Sequence, residues 1–219
     1  MPIIVGSGGS GSAAAGLSNY AELVAYISSM LNRDDLNDMI RHFIRMAEVE
    51  LNRVLRVPEM EETITLTTDA ERLELPSDFR RTRALYLNTD PRQELENITL
   101  GTLRTKYACQ TTGKPECFAV SGYELVLGPA PDAEYDLELT YFQEIPPLTS
   151  EDDTNWLLTD HPDIYVYGAI VQAEAFLWND ERLPLWRNAY ENSYTQLQDQ
   201  GKSMHHGASP IRLRASVRE

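Results

Sequence analysis

Between Lys114 and Arg182 the chain has no lysine or arginine, although it holds 19 basic residues among 219. The same stretch, residues 115–181, holds fifteen acids, and the remainder balances nineteen acids against nineteen bases. One contiguous third of the sequence therefore carries the whole formal charge of −15. Tight, sequence-independent DNA binding needs Lys and Arg against phosphate, so the block argues against it. A solvated acidic face, or a surface that repels polyanions, fits better.

Other shortages narrow the field further. Only two cysteines are present, Cys109 and Cys117, eight residues apart and without nearby histidines. That spacing suggests no zinc site, and reduced thiols are the expectation for a chain that stays in the cytoplasm where it is made. No run of 18 apolar residues exists, so no membrane-spanning helix is expected. The N-terminus, Met1-Pro2-Ile3-Ile4-Val5 followed by a Gly/Ser/Ala run, lacks the pattern of a signal peptide. Catalytic motifs are scarce too: no Gly-rich phosphate loop, no His-Glu-x-x-His and no Gly-x-Ser-x-Gly. The four histidines are His42, His161, His205 and His206, and the adjacent pair cannot share a helix face. No cofactor, metal or catalytic residue is assigned. Glu61-Glu62 and Asp152-Asp153 are carboxylate pairs of the kind glycoside hydrolysis uses, but chance pairs are expected among 34 acids.

What is present reads as an α+β chain. Residues 1–17 are a low-complexity, flexible segment. Asn19 and Glu22 form a capping-box pattern ahead of an apolar face at Leu23, Ile27 and Met30-Leu31. Asp34 or Asp35 can cap a second helix over about residues 36–55, with Leu36, Ile40, Phe43, Ala47, Leu51 and Val54 on its apolar stripe. Arg41, Arg45, Glu48 and Asn52 are expected on the polar face, and residues 18–58 read as a helical hairpin.

Past Pro58 the period changes to two, at Thr63-Ile64-Thr65-Leu66-Thr67, Arg72-Leu73-Glu74-Leu75 and Ala84-Leu85-Tyr86-Leu87. Residues 98–107 fit a short helix. Residues 116–120 and 123–127 flank a Ser121-Gly122 turn, and a long strand starts at Tyr135. Short turns imply antiparallel pairing, so residues 59–147 read as an inserted antiparallel β-module. Helical spacing returns at His161-Pro162-Asp163, with Ile164, Tyr167, Val171, Ala175 and Trp178. A last helix carries Trp186, Tyr190, Ser193 and Leu197 and is expected to stop at Gly201. Residues 148–203 would complete a four-helix bundle assembled from both chain ends. Residues 204–219 are expected to form an extended C-terminal tail, and from Lys202 onward the charges Lys202, Arg212, Arg214 and Arg218 against Glu219 suggest an acidic partner.

Several short motifs, in order, carry a resemblance: Leu51-Asn52-Arg53-Val54-Leu55-Arg56, Leu75-Pro76-Ser77-Asp78-Phe79, Gly113-Lys114-Pro115, Tyr141-Phe142-Gln143-Glu144-Ile145-Pro146-Pro147-Leu148, Thr154-Asn155-Trp156-Leu157-Leu158, Pro162-Asp163-Ile164-Tyr165-Val166-Tyr167-Gly168-Ala169, and Asp180-Glu181-Arg182 with Trp186 beyond. Over about residues 18–205 the chain resembles the head-to-tail adaptors of tailed phages, also called connector or tail tubular A-like proteins. The resemblance implies a structural virion protein at the head-to-tail junction and not an enzyme. Its implied partners are copies of itself in a dodecameric ring, a portal protein above and a tail or nozzle protein below, with no membrane; DNA passes through without specific binding. It also implies a terminal tail that docks on the portal. Here the candidates are Ile211, Leu213 and Val217 for packing and Arg212, Arg214 and Arg218 for charge. Glu151, Asp152 and Asp153 are candidates for lining the channel. The alternatives are a virion-associated, muramidase-like cell-wall enzyme and a nucleic-acid-binding adaptor.

Overall fold

The structure, a computed structural model, describes residues 16–107, 112–177 and 182–206. It is a mixed α+β fold, with six α-helices and two four-stranded sheets among the described residues. Two compact units result: Pro58–Glu144 forms one, and the segments before and after it form the other.

The helical unit opens with α1 (Tyr20–Leu31), and all four of its leading N–H groups find acceptors. Asn19 Oδ1 accepts from Glu22 N–H at 2.9 Å and the Asn19 carbonyl accepts from Leu23 N–H. The Tyr20 and Ala21 N–H groups go to the Asp153 and Glu151 carbonyls at 2.9 and 3.0 Å. The Glu22 carboxylate reaches back one residue further than a capping box requires, accepting from both the N–H and the hydroxyl of Ser18. Asn32 ends the helix in the left-handed region at φ 51°, which Asn tolerates.

The second helix, α2 (Asn37–Val54), follows a single 3-10 turn at Asp34–Leu36. Leu36 occupies its cap position without a side-chain bond, and Asp35, one of the two expected caps, has its carboxylate held by Arg33 at 2.7 Å. Val54, expected on the apolar stripe, is exposed, and Leu55 takes the buried position.

Three more helices complete this unit: α4 (Trp156–Asp160), α5 (Pro162–Phe176) and α6 (Leu183–His206). The short α4 is too brief to show helical periodicity in the sequence; Asn155 caps it by accepting from Leu158 N–H at 2.9 Å. Pro162 sits at the start of α5, where its missing N–H costs nothing. α5 packs against α1, α2, α4 and α6 and is the hub of the unit. α6 does not stop at Gly201; that residue keeps a negative φ, and the helix continues to His206.

In the other unit, the first sheet has the order β1-β8-β3-β4, formed by Glu61–Thr68, Tyr135–Gln143, Phe79–Leu87 and Gln93–Glu94. The second has the order β2-β7-β6-β5, formed by Arg72–Glu74, Glu124–Gly128, Cys117–Ser121 and Glu96–Asn97. Pairing is antiparallel except for β5, which runs parallel to β6 and departs from the expected all-antiparallel module. The parallel pair arises because α3 (Leu100–Lys106) intervenes between the two strands and returns the chain in the same direction. The β6–β7 turn lies one residue later than expected: Ser121 pairs with Glu124, and Gly122 takes φ 65° at the first loop position.

Leu85, Leu87, Leu137 and Leu139 of the first sheet share one core with Leu95, Phe118, Leu125 and Leu127. Alternation on β6 sends Phe118 into that core, and Cys117 and Ala119 to the other face beside Leu103 of α3. The Cys117 thiol is free and buried and donates to the Gly128 carbonyl at 3.4 Å; Cys109 lies outside the described residues.

Candidate functional site: a buried polar clasp

Glu48 and Asn52 are not on a solvent face. They are 1 % and 6 % exposed, while Arg41 and Arg45 remain outside. Helical geometry explains this: Glu48 and Asn52 follow the buried Ile44 at four-residue steps and so stay beside the core.

Buried polar groups need partners, and here they are backbone groups of the chain that follows β8. Asn52 Oδ1 accepts from Ile145 N–H at 2.9 Å. Glu48 Oε1 accepts from Leu148 N–H at 3.0 Å. Between those two residues lie Pro146 and Pro147, which have no N–H to satisfy. The Pro146 carbonyl accepts from Asn155 Nδ2 at 2.7 Å. A second Asn155 N–H bond goes to the Tyr165 hydroxyl at 2.8 Å, and that hydroxyl lies 3.4 Å from Glu48 Oε1 as a donor. Arg45 holds the other Glu48 oxygen at 3.0 Å. Residues from four of the resembling motifs thus converge on one clasp that holds residues 145–148 extended against α2.

Burial raises the Glu48 pKa; the Leu148 N–H, Arg45 and Tyr165 oppose it without cancelling it. Burial, with Glu48 beside it, also pushes the Tyr165 phenol far above its usual range. Because the folded pKa of Glu48 lies above its unfolded value, the folded state binds the extra proton. The resulting stability is fully present below the unfolded pKa and is lost as pH rises through the folded one. Wild type should therefore gain melting temperature relative to Glu48→Gln as pH falls from about 7 to about 4, a difference that paired thermal melts read directly.

A smaller clasp serves the β-unit. The Tyr141 hydroxyl donates to Asp78 at 3.2 Å, and the Asp78 carbonyl accepts from Glu144 N–H at 2.7 Å. Burial and the Asp78 charge push the Tyr141 phenol up to about 12.

The candidate channel residues have structural duties. Asp153 accepts from Thr149 and Ser150 N–H and from the Thr149 hydroxyl at 2.7–2.8 Å, bonds that hold its pKa below the usual range. Glu151 pairs with Arg41 at 3.2 Å, and Asp152 is exposed. Together these residues form the loop whose carbonyls cap α1. The fifteen acids of the basic-free block do not share one unit: Glu116, Glu124, Asp132, Glu134, Asp136, Glu138 and Glu144 lie in the β-unit and the others outside it. Several meet bases from outside the block, as Glu124 does with Arg72, Glu138 with Arg92 and Glu144 with Arg80. The tail candidates Ile211, Arg212, Leu213, Arg214, Val217 and Arg218 lie outside the described residues.

The Glu61-Glu62 carboxylates do not converge. Glu61 and Glu62 are neighbours on β1 and point to opposite faces. A pocket of about 240 Å³ in the helical unit brings Glu50 and Glu191 together with Arg187, Gln172, Tyr190 and Tyr194. It is smaller than the roughly 300 Å³ at which small-molecule sites begin. The Tyr190 hydroxyl is buried there without a partner. No His/Cys/Asp/Glu cluster suited to a metal occurs among the described residues, nor any helix long and apolar enough to cross a membrane.

The most constrained polar side chains thus hold backbone in place within an α+β fold, and several large apolar side chains remain exposed. The model of the SU10 adaptor protein family matches residues 18–214, and the chain belongs to that family of phage head-to-tail adaptors. No curated protein matches the chain.

Proposed function

We propose that this chain is a structural head-to-tail adaptor that closes into a ring, a dodecamer matching the portal, and keeps a channel through which DNA passes. The family match from residue 18 to residue 214 carries the reading, because it spans both units and reaches into the basic tail. In this reading the helices from both chain ends form a bundle collar, and the virion junction is its site of action. Met46 at 53 %, Phe176 at 51 % and Leu185 at 66 % exposure supply apolar surface for neighbouring copies. Acids left unpaired on the channel wall, Asp152 among them, would keep DNA from adhering.

Cell-wall cleavage has less support. The most buried of the clasp carboxylates, Glu48, has both oxygens engaged and serves backbone.

The tail, through Ile211, Leu213 and Val217 with Arg212, Arg214 and Arg218, docks on the portal. Removing everything after Gly207 should weaken binding to portal rings of the same phage by at least about tenfold, since hot-spot residues each contribute 1–2 kcal/mol or more. Equal affinity of the full and shortened chains on immobilised portal would remove the tail from the account.

A further inference from the structure

Arg187, Tyr190, Glu191 and Tyr194 follow one another at three- and four-residue steps, so they share one face of α6. They line the pocket of about 240 Å³ in the helical unit, to which α2 adds Glu50 and α5 adds Gln172. Gln172 Nε2 donates to Glu50 Oε2 at 3.2 Å. Gly168 lets the Tyr190 ring come close to α5, since a Cβ there would lie 3.0 Å from it. Arg187 and Glu191 are exposed, so the pocket is reached from solvent.

The hydrogen bonding of this lining is incomplete. Tyr190 is 2 % exposed, and its hydroxyl has no partner among the described residues. An unpaired buried hydroxyl lowers stability, and a phenylalanine ring would fill the same helix crossing. Burial, and after it the Glu50 charge, raises the Tyr190 pKa, so the phenol stays protonated beside that carboxylate. Glu191 makes no hydrogen bond or ion pair among the described residues, and Glu50 has only Gln172. Arg187 pairs with neither acid, so the lining sets two negative charges against one positive.

A single cation would satisfy the phenol oxygen and both carboxylates and would balance the charge. Guanidinium fits better than ammonium. Its planar fork reaches several oxygens at once, it stacks on a tyrosine ring such as Tyr194, and it sheds water more easily. The volume suits one side-chain head group rather than a metabolite. We propose that this pocket is a socket for an arginine side chain of a partner protein, with Glu50, Glu191 and the Tyr190 hydroxyl accepting from its guanidinium and Tyr194 against its face. The socket goes beyond the adaptor reading and does not depend on ring closure.

Saturation-transfer NMR on the full chain, titrated with N-acetyl-arginine methylamide, tests the socket. The expected Kd is about 1–10 mM, the range open to a ligand of so few atoms. The citrulline analogue, neutral and of the same shape, should bind at least about tenfold more weakly, and the lysine analogue about fivefold more weakly. Glu191→Gln and Tyr190→Phe should each weaken the arginine probe by about five- to tenfold. Tyr190→Phe should also melt no lower than wild type, because the hydroxyl it removes has no partner in the fold. A lower midpoint would give that hydroxyl a structural duty and remove it from the socket. Affinity unchanged in both variants overturns the proposal, since loose attraction to an acidic chain would then explain the binding. Equal binding of the citrulline or lysine analogue overturns the guanidinium assignment. Binding of free agmatine without binding of the capped residue overturns the partner protein as the source.

Discussion

Replacing Glu48 by alanine should destabilise the helical unit by about 2–4 kcal/mol, because it strands the Leu148 N–H and the Tyr165 hydroxyl in a dry interior. Arg45 adds little to that loss, since it is half exposed and regains water. In a chain of this size the change corresponds to a melting temperature lower by roughly 5–15 °C. Glu48→Gln keeps an oxygen for Leu148 and removes a charge that burial disfavours, so it should stay within about 1 kcal/mol of wild type. Calorimetry on the pair separates a hydrogen-bonding role from a charge role. Equal large losses in both variants would make the carboxylate charge itself essential and contradict the clasp as described.

Gly168→Val should cost about 2–3 kcal/mol for a different reason. A Cβ at Gly168 would lie 3.0 Å from the Ala47 Cβ and 3.0 Å from the Tyr190 ring, at the meeting of α2, α5 and α6. Neither neighbour yields easily: Ala47 is fully buried and short, and Tyr190 is 2 % exposed. Overpacking of this kind costs about 1–3 kcal/mol, while leaving glycine for valine in a helix returns only a few tenths. Adding Ala47→Gly should restore part of the loss, whereas Tyr190→Phe should not, because it keeps the ring. Urea titrations of the single and double variants read the coupling. Strict additivity of Gly168→Val and Ala47→Gly would mean that the two residues do not share the crossing.

Periodicity is the reason so much of the fold is legible in the sequence. The cap at Asn19, the strands at Thr63 and Tyr135 and the helix opening at Pro162 all announce themselves through local chemistry. Residues 34–36, β5 and Gly201 do not: the neighbouring Arg33 takes Asp35, β6 further along the chain recruits Glu96 and Asn97 in parallel, and α6 runs on through a glycine. The clasp was hidden by residue type. Glu48 and Asn52 look like solvent positions until the four-residue step from Ile44 is followed, and their partners, 93 and 100 residues away, are backbone groups that no pattern marks. The motifs that resemble the adaptor family were visible, but not that four of them meet.

The most direct test of the adaptor account is the mass of the assembly formed when the full chain is mixed with portal rings of the same phage. Native mass spectrometry should show chains loading in the portal's own symmetry, twelve to a twelve-membered portal if the dodecamer reading is right. Portal rings that emerge with no bound chain, beside folded and monomeric protein, would contradict it.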